Sequence, residues 1–517
     1  MTIRISRGAA PSRRGALAFP SRSLRSIAIS TARSWVAAPD GRAVIAQTVR
    51  FLAVPLAICA STVVAHAQQS PVTTQATQPA APAANTSDAA TASDATKAWP
   101  DPEPSDEQVS IHGQMTNIWQ YHPAFHSPYS GPLSLDPGSR GDETLSVSLF
   151  LGWRLWEGAE FYVNPELLQG FGLSNSTGIA GFTNGEAFKV GTKAPIGQIS
   201  RAFMRQTFAL GEATERVEAD QNQLGGSRPV DRITLTVGKY AVVDIFDDNK
   251  YAHDSRSGFM NWTINDMGAF DMASPAYNYT YGATAEWYQS WWAVRTGFFL
   301  EPTYPNSEDI DTTFRQFQPV VELEERHELW GQPGKLKLLV FGKYVNAGSF
   351  SQALALSQAT GQPPSTGLVR NGRVWGYGGG LNLEQQITSD LGMFARASVQ
   401  NGQYEEFAFT QVHQSVSAGL VLTGAKWGRE DDSVGLGVVA DGIFKQEQAY
   451  LAAGGTGIII GDGALNYGGE EVVETYYKFV PWDWAAITLD YQFVNHPAYN
   501  RDRGPVSVFG ARFHVEF

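Results

Sequence analysis

The sequence predicts an all-β fold, a transmembrane antiparallel β-barrel of the outer membrane, and three observations predict it. First, the last eleven residues alternate. Ser507, Phe509, Ala511, Phe513, Val515 and Phe517 share one face, and Val508, Gly510, Arg512, His514 and Glu516 share the other. A strand has a side-chain period of two, so one face is apolar and aromatic and the other polar. Second, only 17% of the 517 residues are charged, whereas 14 Trp, 19 Tyr and 28 Phe are present; soluble domains carry roughly 25% charge. Third, no run of about 18 apolar residues occurs beyond the N-terminal region, so the body offers no helical span. Closed β-structure is then the route left into a bilayer, because only helices and closed barrels satisfy every backbone group in lipid.

Three regions follow in order. Residues 1–67 read as a signal peptide with an extended N-region. Arg42 and Arg50 precede the short apolar run 51–64, and Ala65-His66-Ala67 supplies a small-x-small pattern with cleavage after Ala67. The long Arg- and Ser-rich stretch before it fits a translation start downstream of Met1 better than an organelle transit peptide. The sole cysteine, Cys59, lies in the apolar run and follows Ile58, which is too large for a lipoprotein site; the mature chain is expected to hold no thiol. Nine arginines against Asp40 give 1–67 a net charge of +8, so the overall −13 becomes about −21 after cleavage. A chain this acidic lacks the basic footprint of nucleic-acid binding. Residues 68–105, rich in Ala, Gln, Thr and Pro, bury too little apolar surface to order and read as a disordered leader.

Residues 106–517 change to short alternating segments broken by Gly, Asn, Asp and Pro. In one hairpin Tyr279, Tyr281, Ala283, Ala285 and Trp287 face out, with Thr280, Gly282, Thr284 and Glu286 inward. After a Gln289-Ser290 turn, Trp292, Val294, Phe298 and Leu300 face out and Arg295 in. A second hairpin places Trp375, Tyr377, Leu381 and Leu383 outward, then Leu391, Met393, Ala397 and Val399, with Glu384 and Arg396 inward. A third carries Val416, Leu420 and Leu422 against Val434, Leu436 and Val438. A soluble sandwich would put the inward Arg and Glu in a dry core at high cost, and a wet lumen removes that cost. At roughly 10 residues per span with short periplasmic turns, the body suits about 16 strands, with 18 as the alternative.

Five stretches add a family resemblance: Phe161–Gly191, Arg201–Gly211, Val237–Asp271, Gly461–Tyr477 and Asp490–Phe517. In this order they resemble the carbohydrate-selective porins of the OprB family over nearly the whole body. The resemblance implies a passive, carbohydrate-selective channel in the bacterial outer membrane, with inward-folded loops forming the constriction. Small sugars, outer-membrane lipid and the barrel-assembly machinery, reached through the C-terminal strand and Phe517, are the partners expected. Family porins are often homotrimers, although no feature of the sequence sets an oligomeric state.

The residues support such a channel in their own right. Selecting a neutral polyol needs hydrogen-bonding groups along a narrow wet passage, with aromatic faces for the sugar ring. The candidate constriction loop supplies Asp244, Asp247, Asp248, Asn249, Tyr251, His253, Asp254, Arg256, Asn261 and Trp262. On a preceding strand Arg201, Arg205 and Thr207 share a face opposite Met204, Phe208 and Leu210. On an earlier one Asn164 and Glu166 lie opposite Val163. Glu286, Arg295, Arg396 and Arg512 are the further lumen residues expected. Arg provides a rigid fork of donors suited to paired hydroxyls.

Other signals are weaker. The Asp244–Asp254 acids lack the spacing and glycine of a calcium loop, and His112, His122 and His126 are too loosely spaced for zinc. No cofactor is expected. An outer-membrane enzyme would need a nucleophile with its base, and no Gly-x-Ser-x-Gly elbow occurs. A general or anion-preferring porin is the alternative to sugar selectivity, since Arg201 and Arg205 favour anions unless acids oppose them.

Overall fold

The computed structural model describes residues 106–187, 191–407 and 410–517. The expected signal segment 1–67 and leader 68–105 lie outside the described residues. Among the described residues sixteen strands close into one barrel, and two more form a small sheet of their own. The wall begins with β1 (Val109–His122), β2 (Arg140–Trp156), β3 (Ala159–Gly170) and β4 (Thr192–Ala209). The small hairpin β5 (Thr214–Val217) and β6 (Gly226–Pro229) intervenes. The wall resumes with β7 (Arg232–Tyr240), β8 (Thr280–Tyr288), β9 (Trp292–Leu300), β10 (Phe317–Leu329) and β11 (Gln332–Val345). It continues with β12 (Val374–Gln386), β13 (Leu391–Gln400), β14 (Gln414–Thr423) and β15 (Ser433–Gly442), then β16 (Glu470–Trp482), β17 (Ala485–Asn495) and β18 (Val506–Glu516). Neighbours pair antiparallel, and β18 closes on β1 from Gln114↔Glu516 to Tyr121↔Phe509.

The period-two pattern sets which face meets lipid. Leu235, Val237, Leu338, Val340, Leu436, Val438, Ile487 and Leu489 stand exposed on the outside. Trp119, Tyr121, Tyr281, Trp375, Tyr377 and Phe509 mark one end of the apolar band, and Trp156, Trp287, Trp330, Trp482 and Trp484 the other. These are the two interfacial girdles of a membrane barrel, where amphipathic rings sit at headgroup level. The end with the tight turns and both strand termini is the periplasmic one.

The inside is not an empty tube. The inward positions Glu322, Lys337, Asn382, Arg396, Glu474 and Arg512 are all buried, because loops fold in and cover them. Those loops bring apolar residues with them: Phe182, Phe246, Trp262, Met267 and Phe270 belong to one buried cluster. The hydrophobic core of this molecule therefore lies within the lumen, where a soluble fold would place it between layers.

Three details depart from the sequence reading. Tyr279 does not face lipid. Pairing of β8 begins at Thr280↔Tyr240, so residue 279 still belongs to the inward loop and strand alternation does not reach it. Leu300 lies on the outward parity yet is buried, at the end of β9 where the chain bends into its outer loop. Periplasmic turns such as 157–158, 330–331 and 483–484 are short, whereas 424–432 carries a 3-10 turn and the connection 210–231, the longest, carries β5 and β6.

Candidate pore constriction

Two loops narrow the lumen, the segments 171–187 and 241–279, and hydrogen bonds from wall side chains fix their paths. The longer loop leaves β7 and first meets the facing wall at β10, β12 and β13. There the Asp247 amide donates to Glu322 (2.8 Å) and the Lys250 amide to Glu384 (2.8 Å). Asn382 Nδ2 and Arg396 Nε both donate to Asp247 Oδ1, at 2.6 and 3.0 Å. Further along, the Asn261 amide donates to Glu474 at 3.0 Å, and Arg512 donates to the carbonyls of Ser255 and Gly258 at 2.7 and 2.8 Å. The loop thus touches β16 and β18 before it returns to β8. The shorter loop is held likewise: Glu470 accepts from the amides of Ala180 and Gly181 at 3.0 and 2.7 Å. A loop backbone buried against the wall needs such partners, since each unmet N–H carries a desolvation penalty. Phe182 stacks on Trp262 with centroids 5.5 Å apart, which joins the two loops.

Charged side chains of the wall and of these loops cluster together in the lumen. Arg201 donates from Nε and Nη2 to the two oxygens of Asp244, at 2.7 and 2.6 Å. The planar fork makes this bidentate pair rigid, and Tyr279 lies 4.9 Å beneath the guanidinium. Arg205 lies over Tyr162 at 5.3 Å and 3.6 Å from Glu160. Arg256 spans Glu186 (2.9 Å) and Glu166 (3.3 Å). Arg295 donates to Glu322 and Glu324, both at 2.7 Å, and Tyr288 lies under both Arg232 and Arg295. Tyrosine rings and carboxylates thus fix the direction of these guanidinium planes.

Between the inward loop and the periplasmic hairpin lies a cavity of about 1090 Å³. Seven arginines and seven carboxylates line it, so its walls offer many donors and acceptors with no net formal charge. Of the residues expected at the pore, Arg201, Arg205, Asp248, His253, Arg256, Glu286 and Arg295 line this cavity, together with Asp244. The others do different work. Asp247, Asn249, Arg396 and Arg512 tie the loop to the wall. Asn261 caps the helical turn Trp262–Asn265 and donates to the Gly181 carbonyl. Trp262 packs in the lumen core, and Tyr251 packs against a second buried cluster with its ring over Gly392. Asp254 accepts from Arg256 N and Ser257 Oγ within its own turn. Asn164 is buried on the lumen side of β3, and Glu166 is a hub that accepts from Ser148, Gln198, Arg256 and Tyr279.

Within the loop, burial pushes the Asp266 carboxyl up to about 7; His253, at 3.6 Å, offsets part of the rise and nearby Asp247 adds to it.

Several residues at the site went unrecognised in the sequence. Glu322 and Glu324 sit two apart on β10, so alternation carried the signal that places them in the lumen. Glu160, Tyr162 and Tyr288 follow from the same rule. Glu186 had no such signal, because its meeting with Arg256 depends on how two loops cross. Outside the pore, buried His413 lies between Glu406 (2.6 Å) and Glu447 (3.2 Å). Its Nδ1 accepts from the Phe444 amide, so the proton sits on Nε2 and points at the carboxylates. That ring nitrogen is occupied as a donor, and the trio pins the outer loops to each other.

Comparison with known proteins agrees with this architecture. The profile described as carbohydrate-selective porin, OprB family, matches residues 134–517. Comparison with curated proteins gave no match. Among solved structures, OprB of Pseudomonas putida at high pH is similar at 14% identity and a TM-score of 0.59, covering 79% of this chain and 94% of that one. The outer membrane channel DcaP of Acinetobacter baumannii is similar at 9% identity and a TM-score of 0.43, covering 79% and 97%.

Proposed function

The chain belongs to the OprB family of carbohydrate-selective porins, and from that premise we propose that sugars are sorted at the charged cavity between the inward loop and the periplasmic hairpin. The protein is an outer-membrane porin through which sugars diffuse passively, a channel rather than an enzyme. In our reading Arg201, Arg205 and Arg256 supply donors to sugar hydroxyls, and Asp244 and Asp248 supply acceptors. One observation carries it: the seven arginines and seven carboxylates around the cavity balance. A balanced lining gives an ion no preferred sign, while a polyol can satisfy its hydroxyls in either direction. Each contact replaces one already made to a partner or to water, so binding stays weak enough for release. Insertion by the barrel-assembly machinery through β18, and association as a homotrimer, complete this reading.

Liposome swelling with the purified protein tests it. Glucose is expected to enter faster than an amino acid or a small anion of similar size. Entry ranked by size alone would reduce the protein to a general porin, and faster anion entry would favour the anion-preferring alternative.

A further inference from the structure

The connection 210–231 has no place in a simple pore. Other periplasmic turns cross in as few as two residues, yet this one builds its own sheet, with Thr214↔Pro229 to Val217↔Gly226 in register. Its tip turns back into the barrel. Leu224 is only 2% exposed and joins the buried cluster that contains Tyr162 and Phe203, while its amide donates to Tyr162 Oη at 3.1 Å. Gln221 Nε2 donates to Gln114 Oε1 on β1 at 3.0 Å, and Arg205 Nη1 donates to the Asn222 carbonyl at 3.1 Å. From the other side Glu107 exchanges two bonds with Gly225, one from its own amide and one to its carboxylate. The tip is therefore held inside the lumen by β1, β3, β4 and the segment just before β1. A turn that served only to join two strands would need none of these bonds.

We propose that this tip is a second selectivity element, a periplasmic floor that turns the cavity into a chamber which a sugar must leave past Gln221, Asn222 and Gln223. The inference rests on the porin reading and adds a second narrowing to it. All three residues line the cavity, and all three are neutral amides. An amide side chain offers both a donor and an acceptor without a charge, so it can hand a hydroxyl on without holding an ion. The tip also fixes one of the arginines through the Arg205 bond, which couples the floor to the charged wall. At about 1090 Å³ the chamber has room for a sugar ring together with its water, whereas a longer glycan would have to reach both narrow points at once.

The test shortens the tip. Replacing residues 219–224 by Gly-Gly is expected to raise single-channel conductance roughly two-fold and to admit a trisaccharide, whose entry through the intact protein is expected to be blocked. Unchanged conductance and an unchanged size limit would overturn the floor. A second variant covers failure of the first to assemble. Gln221→Cys, in a Cys59→Ser background that leaves no other thiol, is treated with thiol reagents of increasing bulk in planar bilayers. Conductance is expected to fall stepwise with reagent size, and full conductance after complete modification would overturn the proposal. Sugar ranking by the intact protein is read separately. If it follows size alone, sugar sorting fails, while the effect of the tip on the size limit still decides the floor.

Discussion

The arginines of this pore are fixed by pairing. Arg201 has Asp244 and Tyr279, Arg205 has Glu160 and Tyr162, and Arg295 has three carboxylates, Glu286, Glu322 and Glu324. Arg201→Ala is therefore expected to leave the Asp244 carboxylate unopposed at the cavity. The barrel should assemble normally, because the lost side chain borders water. The cation-to-anion permeability ratio measured as a reversal potential should rise, and glucose flux should fall roughly two-fold or more. A second prediction concerns Asp266. Its folded pKa of about 7 lies above the ordinary 3.8, so the folded loop holds this proton more tightly than the unfolded chain does. The stabilisation is complete at low pH and is lost as pH rises through 7. Channel noise from loop motion is expected to grow from about pH 4 to about pH 7, and Asp266→Asn should flatten that dependence. Alternation made Arg201, Arg205 and Arg295 legible as lumen residues, since it fixes direction. It could not reveal the partner of Arg201, because Asp244 reaches it by tertiary folding.

At the scale of elements, strands and loops were unequally legible. The hairpins β8–β9, β12–β13 and β14–β15 follow from period two, and their registers match it. Loop composition announced polarity but not direction. Asp247, Asn249 and Asn261 have the chemistry of sugar ligands, yet they bond to wall and loop and leave the cavity to Asp244, Asp248 and Arg256. A polar side chain in a loop can satisfy either backbone or solute, and only the crossing of the lumen decides which. The crossing itself depends on wall carboxylates. Glu474→Leu is expected to strand the buried amides of Met260 and Asn261, at about 1–3 kcal/mol for each group. The loop should then leave its course, with larger and noisier conductance, while Glu474→Gln, which keeps one acceptor oxygen, should fall between.

For the molecule as a whole, closure depends on the seam. Phe517 stands 72% exposed at the last position, and its backbone exchanges two hydrogen bonds with Gly113 on β1. Its ring covers the side of Gly113 where a Cβ would sit. Phe517→Ser is expected to reduce the amount of protein reaching the outer membrane, as seen by surface labelling, while channels that do insert conduct normally. The final alternation and the barrel class were legible because lipid imposes one rule on every strand. The long periplasmic connection was not, since 210–231 contains the ordinary residues of a polar turn. The wall anchors carry one more consequence, concerning order in time. The inward loops lie in the first half of the body, but their acceptors Glu384, Glu470 and Glu474, and the donor Arg512, lie on strands made later. Neither loop can settle until the last third of the chain has arrived. A nascent barrel is therefore a wide hole, and it acquires its bore only when the circle is complete.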